Sequence, residues 1–579
     1  MPTGQSGVNN IKAQNTVYTV TANCQDCYRC VRVCPVKAIS VQDGQACIED
    51  DLCIKCGTCV RECSQHAKTI RTSLYDVKEL LATGRPVIAS VAPSFAAIFD
   101  GQCADRLPAA LQRLGFSHVS ETAEGALLVT EETLKHLDKG SICTACPAVV
   151  NYIEKYRPEY VDMLIPVVSP MVAHGRQLKK RYGSDCAVVF IGPCAAKKLE
   201  AQRPENAGAV DAVLTFTELQ GWLDEEGIDL AACPESGFES NGMLEKSRLF
   251  PLQGGLLKTG SVEYDGMDAD IIHLSGASDV INLLNIPPDK WSFTVVEPLF
   301  CAGGCINGPG ISTDKNIFLR KHDVIAYAEK IPTAALCDID RDIQSETRFA
   351  ESRDGIMLEN VDESRINQVL EAQGKLDPEM QLNCGACGYE SCRDNAIAVA
   401  RGLAEPEMCI PYMRRLAQQR TDRIIETSPN GVVILDSDLT ILHMNPAFQR
   451  MFMCSSGITG RRISYLVDAD GYERLASGAA ESYEAIKSKY GKKYHEQVYK
   501  LLSENQYVGM YTDVTNIRFD EKQIDLIKKQ TVEQAKELLD HQIRFSQEMA
   551  HYLGKSTARS EDLVTRLMDL YEEQGPIEQ

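Results

Sequence analysis

No stretch of about 18 or more apolar residues occurs in the 579-residue chain, so no helix of it is expected to span a membrane. The opening residues, MPTGQSGVNNIKAQN, lack a basic start followed by an apolar run, and no twin-arginine motif is present. A secretory signal is therefore not expected, and the expected compartment is a reducing cytoplasm. Positive charge is short: 60 Lys and Arg stand against 81 Asp and Glu, a net charge of −21. Such a chain repels nucleic-acid phosphates, so neither DNA nor RNA is expected as a direct partner. A phosphate-cradling P-loop is also missing, which excludes a nucleotide-binding domain of that type. No low-complexity linker divides the chain, although its length calls for about three to five domains.

What is abundant is cysteine, with 23 residues. In a reducing compartment disulfides do not persist, so dense cysteines point to metal or redox chemistry. Nine of them precede residue 64. Residues 24–35 read C-Q-D-C-Y-R-C-V-R-V-C-P, and residues 53–63 read C-I-K-C-G-T-C-V-R-E-C. The first is the bacterial ferredoxin run C-x2-C-x2-C-x3-C-P, and the second repeats it without the proline. In that pattern three cysteines hold one cube and the fourth crosses to the other. Cys24, Cys27, Cys30 and Cys63 are expected on one [4Fe–4S] cluster, and Cys34, Cys53, Cys56 and Cys59 on the second. Structural zinc is the competing reading, but it favours paired CxxC without a third cysteine at this spacing. Cys47 fits neither set and reads as an idle thiol.

Three segments in the middle carry the next expectation: T-A-C-P at 144–147, P-C-A-A-K-K-L-E at 193–200 and E-P-L-F-C-A-G-G-C-I-N-G at 297–308. They supply Cys146, Cys194, Cys301 and Cys305, far apart in sequence and set among glycines that let backbone approach closely. Spacing alone leaves a buried cluster and unrelated thiols both open. The three segments, in this order, resemble the signature motifs of the [FeFe]-hydrogenases. Val91-Ala92-Pro93, Gly254-Gly255 and Gly276-Ala277-Ser278 also resemble that family, and the similarity covers roughly 85–320.

The resemblance implies that Cys146, Cys194, Cys301 and Cys305 hold the [4Fe–4S] part of an H-cluster, with Cys305 bridging to a diiron unit that carries CO, cyanide and an azadithiolate. Lys197 would donate to a cyanide ligand, and Glu200 would orient the surrounding groups. Departures are equally specific. Ala145 stands where the family has its proton-relay cysteine, and Gly192 and Leu299 stand where two methionines line the pocket. Cys143, two residues upstream of Ala145, is a candidate substitute relay, with an idle thiol as the alternative. These departures resemble a sensory branch of the family.

Residues 384–409 carry C-x2-C-x4-C-x16-C, with Cys384, Cys387, Cys392 and Cys409 as expected ligands of a third additional [4Fe–4S] cluster and zinc as the alternative. Downstream, E-T-S-P-N-G-V-V-I-L-D at 426–436, I-L-H-M-N-P-A-F-Q-R-M-F at 441–452 and D-V-T at 513–515 resemble a PAS domain. His443 reads as an ordinary strand histidine rather than a haem ligand. Beyond 516, Ile517, Ile524, Ala535, Leu538, Phe545 and Met549 form a patchy heptad-like stripe, which suggests a dimeric signalling helix or a helix packed on its own PAS domain.

The expected fold is multidomain α/β: a two-cluster ferredoxin head (1–80), an α/β hydrogenase-type core (81–375), a small [4Fe–4S] domain (376–418), an α+β PAS domain (419–516) and a helical or coiled-coil tail (517–579). The expected function is hydrogen sensing, H2 = 2 H+ + 2 e−, at low turnover, with output to a kinase, phosphatase or other signalling protein in trans. Ferredoxin-type redox partners, hydrogenase maturation proteins and a homodimer are also expected. Two alternatives are a metabolic ferredoxin-linked hydrogenase and a non-catalytic hydrogenase-like Fe–S protein.

Overall fold

The computed structural model describes residues 15–99, 104–239, 244–262, 269–329, 339–349, 361–501 and 506–515. The heptad-like stripe from Ile517 onward lies outside the described residues. The chain is multidomain α/β and divides into two compact units, Met1–Arg415 and Leu416–Gln579. Among the described residues no helix is long and apolar enough to cross a membrane.

The first unit begins with a small cysteine-rich head. Strand Val17–Thr19 pairs antiparallel with Lys68–Ile70, and Ile39–Gln42 pairs antiparallel with Gln45–Ile48. Two short helices, Arg29–Val33 and Thr58–Arg61, lie between them. The head is an internal repeat at the level of backbone angles. Left-handed residues occur at Asp26, Tyr28 and Lys37, and again at Lys55, Gly57 and His66. These angles fold each cysteine run into the same loop, so both halves present their thiols alike.

The core contains a four-stranded parallel sheet in the order His118–Glu121, Val87–Val91, Ala187–Gly192, Ala212–Thr215. The two central strands are buried along their whole length, which explains the unbroken apolar runs V-I-A-S-V and A-V-V-F-I-G. Each fully buried Val, Ile or Phe there contributes roughly 1.5–3 kcal/mol. A smaller parallel sheet runs Ile271–Ser275, Val295–Leu299, Ser141–Ile142. Helices Ala123–Thr133 and Pro170–Tyr182 cross closely at Gly125, where a Cβ would lie 2.2 Å from the Pro170 carbonyl oxygen.

After the core come helix Glu363–Ala372, helix Cys392–Ala400 and a 3-10 turn at Pro406–Met408. Ser391 and Asp394 close a capping box at the start of the second helix, which fixes Cys392 in its first turn.

The second unit contains a five-stranded antiparallel sheet in the order Ile441–Met444, Gly431–Leu435, Gln506–Asp513, Lys492–Leu501, Ser482–Lys489. Asn445 is the hub of its N-P turn: its amide oxygen accepts from Val432 N at 2.8 Å and from Phe448 N at 2.9 Å. Phe448, Phe452, Tyr472, Tyr494 and Tyr511 fill the space under the sheet. His443 is exposed on its strand.

Candidate functional site

Each of the three core cysteine segments lies just past the C-terminal end of a parallel strand. Ser141–Ile142 leads to Cys143 and Cys146, Ala187–Gly192 to Cys194, and Val295–Leu299 to Cys301. The region beyond the carboxyl ends of parallel strands is where α/β sheets hold ligands. Cys146 is the N-cap of helix Pro147–Tyr156, and Lys197 and Glu200 lie on helix Ala196–Ala201.

The four candidate thiols converge. Burial, reinforced by the nearby Cys146 thiol, pushes Cys194 up to about 12. Burial also holds Cys301 well above the usual thiol range, with Cys194, Cys146, Cys305 and Cys56 adding to the effect. Cys305 is raised by burial and then by Cys146 and Cys194. Cys194, Cys301 and Cys305, each held up by burial and by neighbouring thiols, are a poor set of free thiolates. They become a good one when a cation binds, because the metal displaces the protons. All four are free of disulfides. The donor set and its burial therefore fit an iron–sulfur group.

The backbone around these thiols is shaped for close approach. Gly304 has φ +90°, and a Cβ there would sit 2.4 Å from the Pro251 carbonyl oxygen. Lys197 is 8% exposed, and its Nζ donates to Glu200 Oε2 at 2.7 Å and to the Ala145 carbonyl at 3.5 Å. Lys197, Glu200 and Ala145 thus meet in one place. Glu200 also lines a small pocket, together with Thr144, Ser169, Arg203 and Asn206.

Two expected pocket positions look different in three dimensions. A Cβ on Gly192 would lie 2.5 Å from the Phe190 ring, so the aromatic already fills the space a longer side chain would enter. Leu299 is buried at the end of its strand. Cys143 is packed in the main apolar core, and burial, followed by the Glu297 carboxylate, holds its thiol well above the usual range. Both effects work against proton exchange at this thiol.

In the head, burial and then Cys56 push Cys34 up to about 12, while Cys56, Cys34 and Cys53 all act on Cys59. Cys30 is raised by burial and feels both Cys27 and Cys24. Cys34 and Cys63 each accept at 3.3 Å from the backbone N–H four residues on, of Ala38 and Ala67. The head is docked on the core beside the strand-end thiols. From helix Pro147–Tyr156, Asn151 donates to the Ile54 carbonyl at 3.1 Å, Lys155 to the Cys53 carbonyl at 3.0 Å and Tyr156 to the Leu52 carbonyl at 2.6 Å. Arg61 donates to the Asn307 carbonyl at 3.1 Å.

The third cysteine set is packed on the head. Arg32 donates both to the Cys27 carbonyl at 2.9 Å and to the Ala386 carbonyl at 3.0 Å. Lys37 Nζ donates to the Gly388 carbonyl at 2.8 Å, and Val41 N to the Leu403 carbonyl at 3.0 Å. Cys384, Cys387, Cys392 and Cys409 line one small cavity together with Lys375 and Tyr389. Lys375 was not singled out in the sequence, because an isolated lysine after a helix carries no signal of its own.

Parts of the chain are similar to known proteins. Residues 85–309 match the family model for the C-terminal domain of the iron-only hydrogenase large subunit. Residues 381–411 match an Fe–S cluster family, and residues 419–486 match a PAS domain. The NADP-reducing hydrogenase subunit HndD of Solidesulfovibrio fructosivorans is 27% identical over 49% of this chain and 60% of its own length. The cytosolic Fe–S cluster assembly factor NAR1 of Vanderwaltozyma polyspora is 39% identical over 20% of this chain and 23% of its own. The chain therefore spans about three fifths, or less, of these curated relatives. An [FeFe]-hydrogenase structure from Chlamydomonas reinhardtii aligns with a TM-score of 0.36 at 19% identity, covering 46% of this chain and 91% of that one. The chain thus joins a segment that matches the iron-only hydrogenase domain to segments that match an Fe–S cluster family and a PAS domain.

Proposed function

We propose that this chain is a cytoplasmic hydrogen sensor of low turnover. The observation that carries the reading is the convergence of Cys146, Cys194, Cys301 and Cys305 beside a buried Lys197–Glu200 pair, with Ala145 at the position facing them. In this reading those four cysteines would hold an H-cluster. When bound, that group supplies the interconversion of H2 with two protons and two electrons.

The chain's own residues set how well this is done. Lys197 holds a buried positive charge, offset by Glu200 at 2.7 Å, and is placed to donate to an anionic ligand. Glu200 also lines the small pocket that has Thr144, Arg203 and Asn206 in its wall. Ala145 has no proton to give or take, so general acid–base help, typically about 10²–10⁴ in rate, is missing at this point. Slow turnover with hydrogen binding retained suits sensing better than bulk metabolism. Cys24, Cys27, Cys30 and Cys63, then Cys34, Cys53, Cys56 and Cys59, and then Cys384, Cys387, Cys392 and Cys409 are proposed to hold three further [4Fe–4S] clusters. The PAS domain would report their redox state to a signalling protein in trans. Maturation proteins, a ferredoxin-type electron partner and dimerisation belong to the same proposal.

The match to NAR1 favours a second reading, an Fe–S protein without the diiron unit. Infrared spectroscopy of anaerobically matured full-length chain separates the two. CO and cyanide bands that shift under H2 are expected. A fully iron-loaded sample without such bands would leave only the second reading.

A further inference from the structure

Helix Glu363–Ala372 ends in a Schellman motif. Gly374 N donates to the Glu371 carbonyl at 2.8 Å and Lys375 N to the Leu370 carbonyl at 2.7 Å, with Gly374 at φ +62°. The left-handed residue reverses the chain, so the next side chain turns inward. Arg415 donates to the Gln373 carbonyl and holds the turn from the other side. Lys375 is left 6% exposed. Its Nζ lies 2.9 Å from Cys409 Sγ and 3.3 Å from Cys392 Sγ. These are the third and fourth cysteines of the C-x2-C-x4-C-x16-C set, and Lys375 lines the same cavity as all four.

Burying an ammonium is costly without a compensating anion. The other buried lysines near thiols direct their charge at oxygen. Lys197 donates to Glu200, and Lys68 to Thr19 and the Ala46 carbonyl. Lys375 is aimed at sulfur. Hydrogen bonds to cluster sulfurs and nearby charge are among the quantities that set a cluster's reduction potential. A fixed cation favours the more negative, reduced state.

We propose that Lys375 is a positioning residue of the third cluster site, donating to the Cys392 and Cys409 thiolates and making the cluster held there easier to reduce. This rests on the reading of residues 384–409 as a cluster site. Its consequence for the chain is directional: the lysine's charge draws electrons toward the segment that precedes the PAS domain in sequence.

The test uses full-length chain reconstituted anaerobically with iron and sulfide, then taken through an EPR-monitored redox titration. Cys384→Ala identifies the signal of the third site. If it removes no signal and no iron, the cluster reading itself fails. With the signal identified, Lys375→Met and Lys375→Gln are expected to lower the equilibrium constant for its reduction roughly tenfold, about 59 mV for one electron. Lys375→Arg is expected to stay within about twofold of the parent. Loss of the cluster in Met and Gln but not in Arg also supports the cation role. An unchanged potential in a loaded Met or Gln variant overturns it, as does equal loss of the cluster in all three.

Discussion

The head and the core both gather cysteines, but by opposite means. In the head each half is one local loop, and the two halves share left-handed backbone at matching places: Asp26, Tyr28 and Lys37 against Lys55, Gly57 and His66. In the core the thiols come from three distant strand ends and meet because two parallel sheets end on the same region. A local loop tolerates change one residue at a time. A convergent site depends on every element that brings its parts together, so single substitutions there are expected to cost more.

The sharpest way to break the contrast is Ala145→Cys. If the core is a hydrogenase-type site lacking only a proton relay, turnover of matured protein in a dye-linked hydrogen-oxidation assay should rise by about 10²–10⁴. Unchanged or lower activity with a full set of infrared bands would count against the relay argument. Next is Gly304→Ala, which adds a Cβ 2.4 Å from the Pro251 oxygen at φ +90°. A destabilisation on the order of 3 kcal/mol is expected in the denaturant midpoint, together with loss of core iron.

A third effect is a matter of pH. His174 is fully buried, with Nδ1 2.8 Å from Ser90 Oγ and Nε2 3.2 Å from Ser120 Oγ. Burial, and then the Arg181 charge, push it down to about 3 from an ordinary value of 6.5. The folded chain keeps this imidazole neutral while the unfolded chain protonates it. Stability is therefore full above about pH 6.5 and is lost as the pH falls toward 3, by up to about 1.4 kcal/mol per unit. His174→Gln should flatten that slope in urea titrations from pH 7 to 5, and an unaltered slope would rule His174 out as its source.

The smallest effect belongs to the head. His66 is exposed and left-handed at φ 51°, so His66→Gly should stabilise by about 0.5–1 kcal/mol. Destabilisation instead would show that the side chain makes a contact the loop requires.

Much of the candidate site was legible because its chemistry is written as spacing. The two ferredoxin runs repeat visibly at 24–35 and 53–63. The N-P step at Asn445 and Pro446 announces its helix start by the same kind of local rule. Other features had no local signature. Phe190 fills the space beside Gly192 because residues two apart on a strand share a face, and which face is inward is decided by the sheet. The burial that disfavours Cys143 as a relay comes from the core around it, since its neighbours in sequence are Ile142 and Thr144. Nothing in the local sequence announced that the 384–409 segment is packed on the head through Arg32, Lys37 and Val41.

The sequence by itself determined where the cysteines lie, how they are spaced and where glycine lets the backbone approach them, since thiol chemistry and glycine are properties of single residues and short spacings. Only the tertiary structure decided which set touches which, and that Lys375 turns its charge onto Cys392 and Cys409. Burial and packing supply the reason: both are sums over residues far apart in the chain, and no short window contains them.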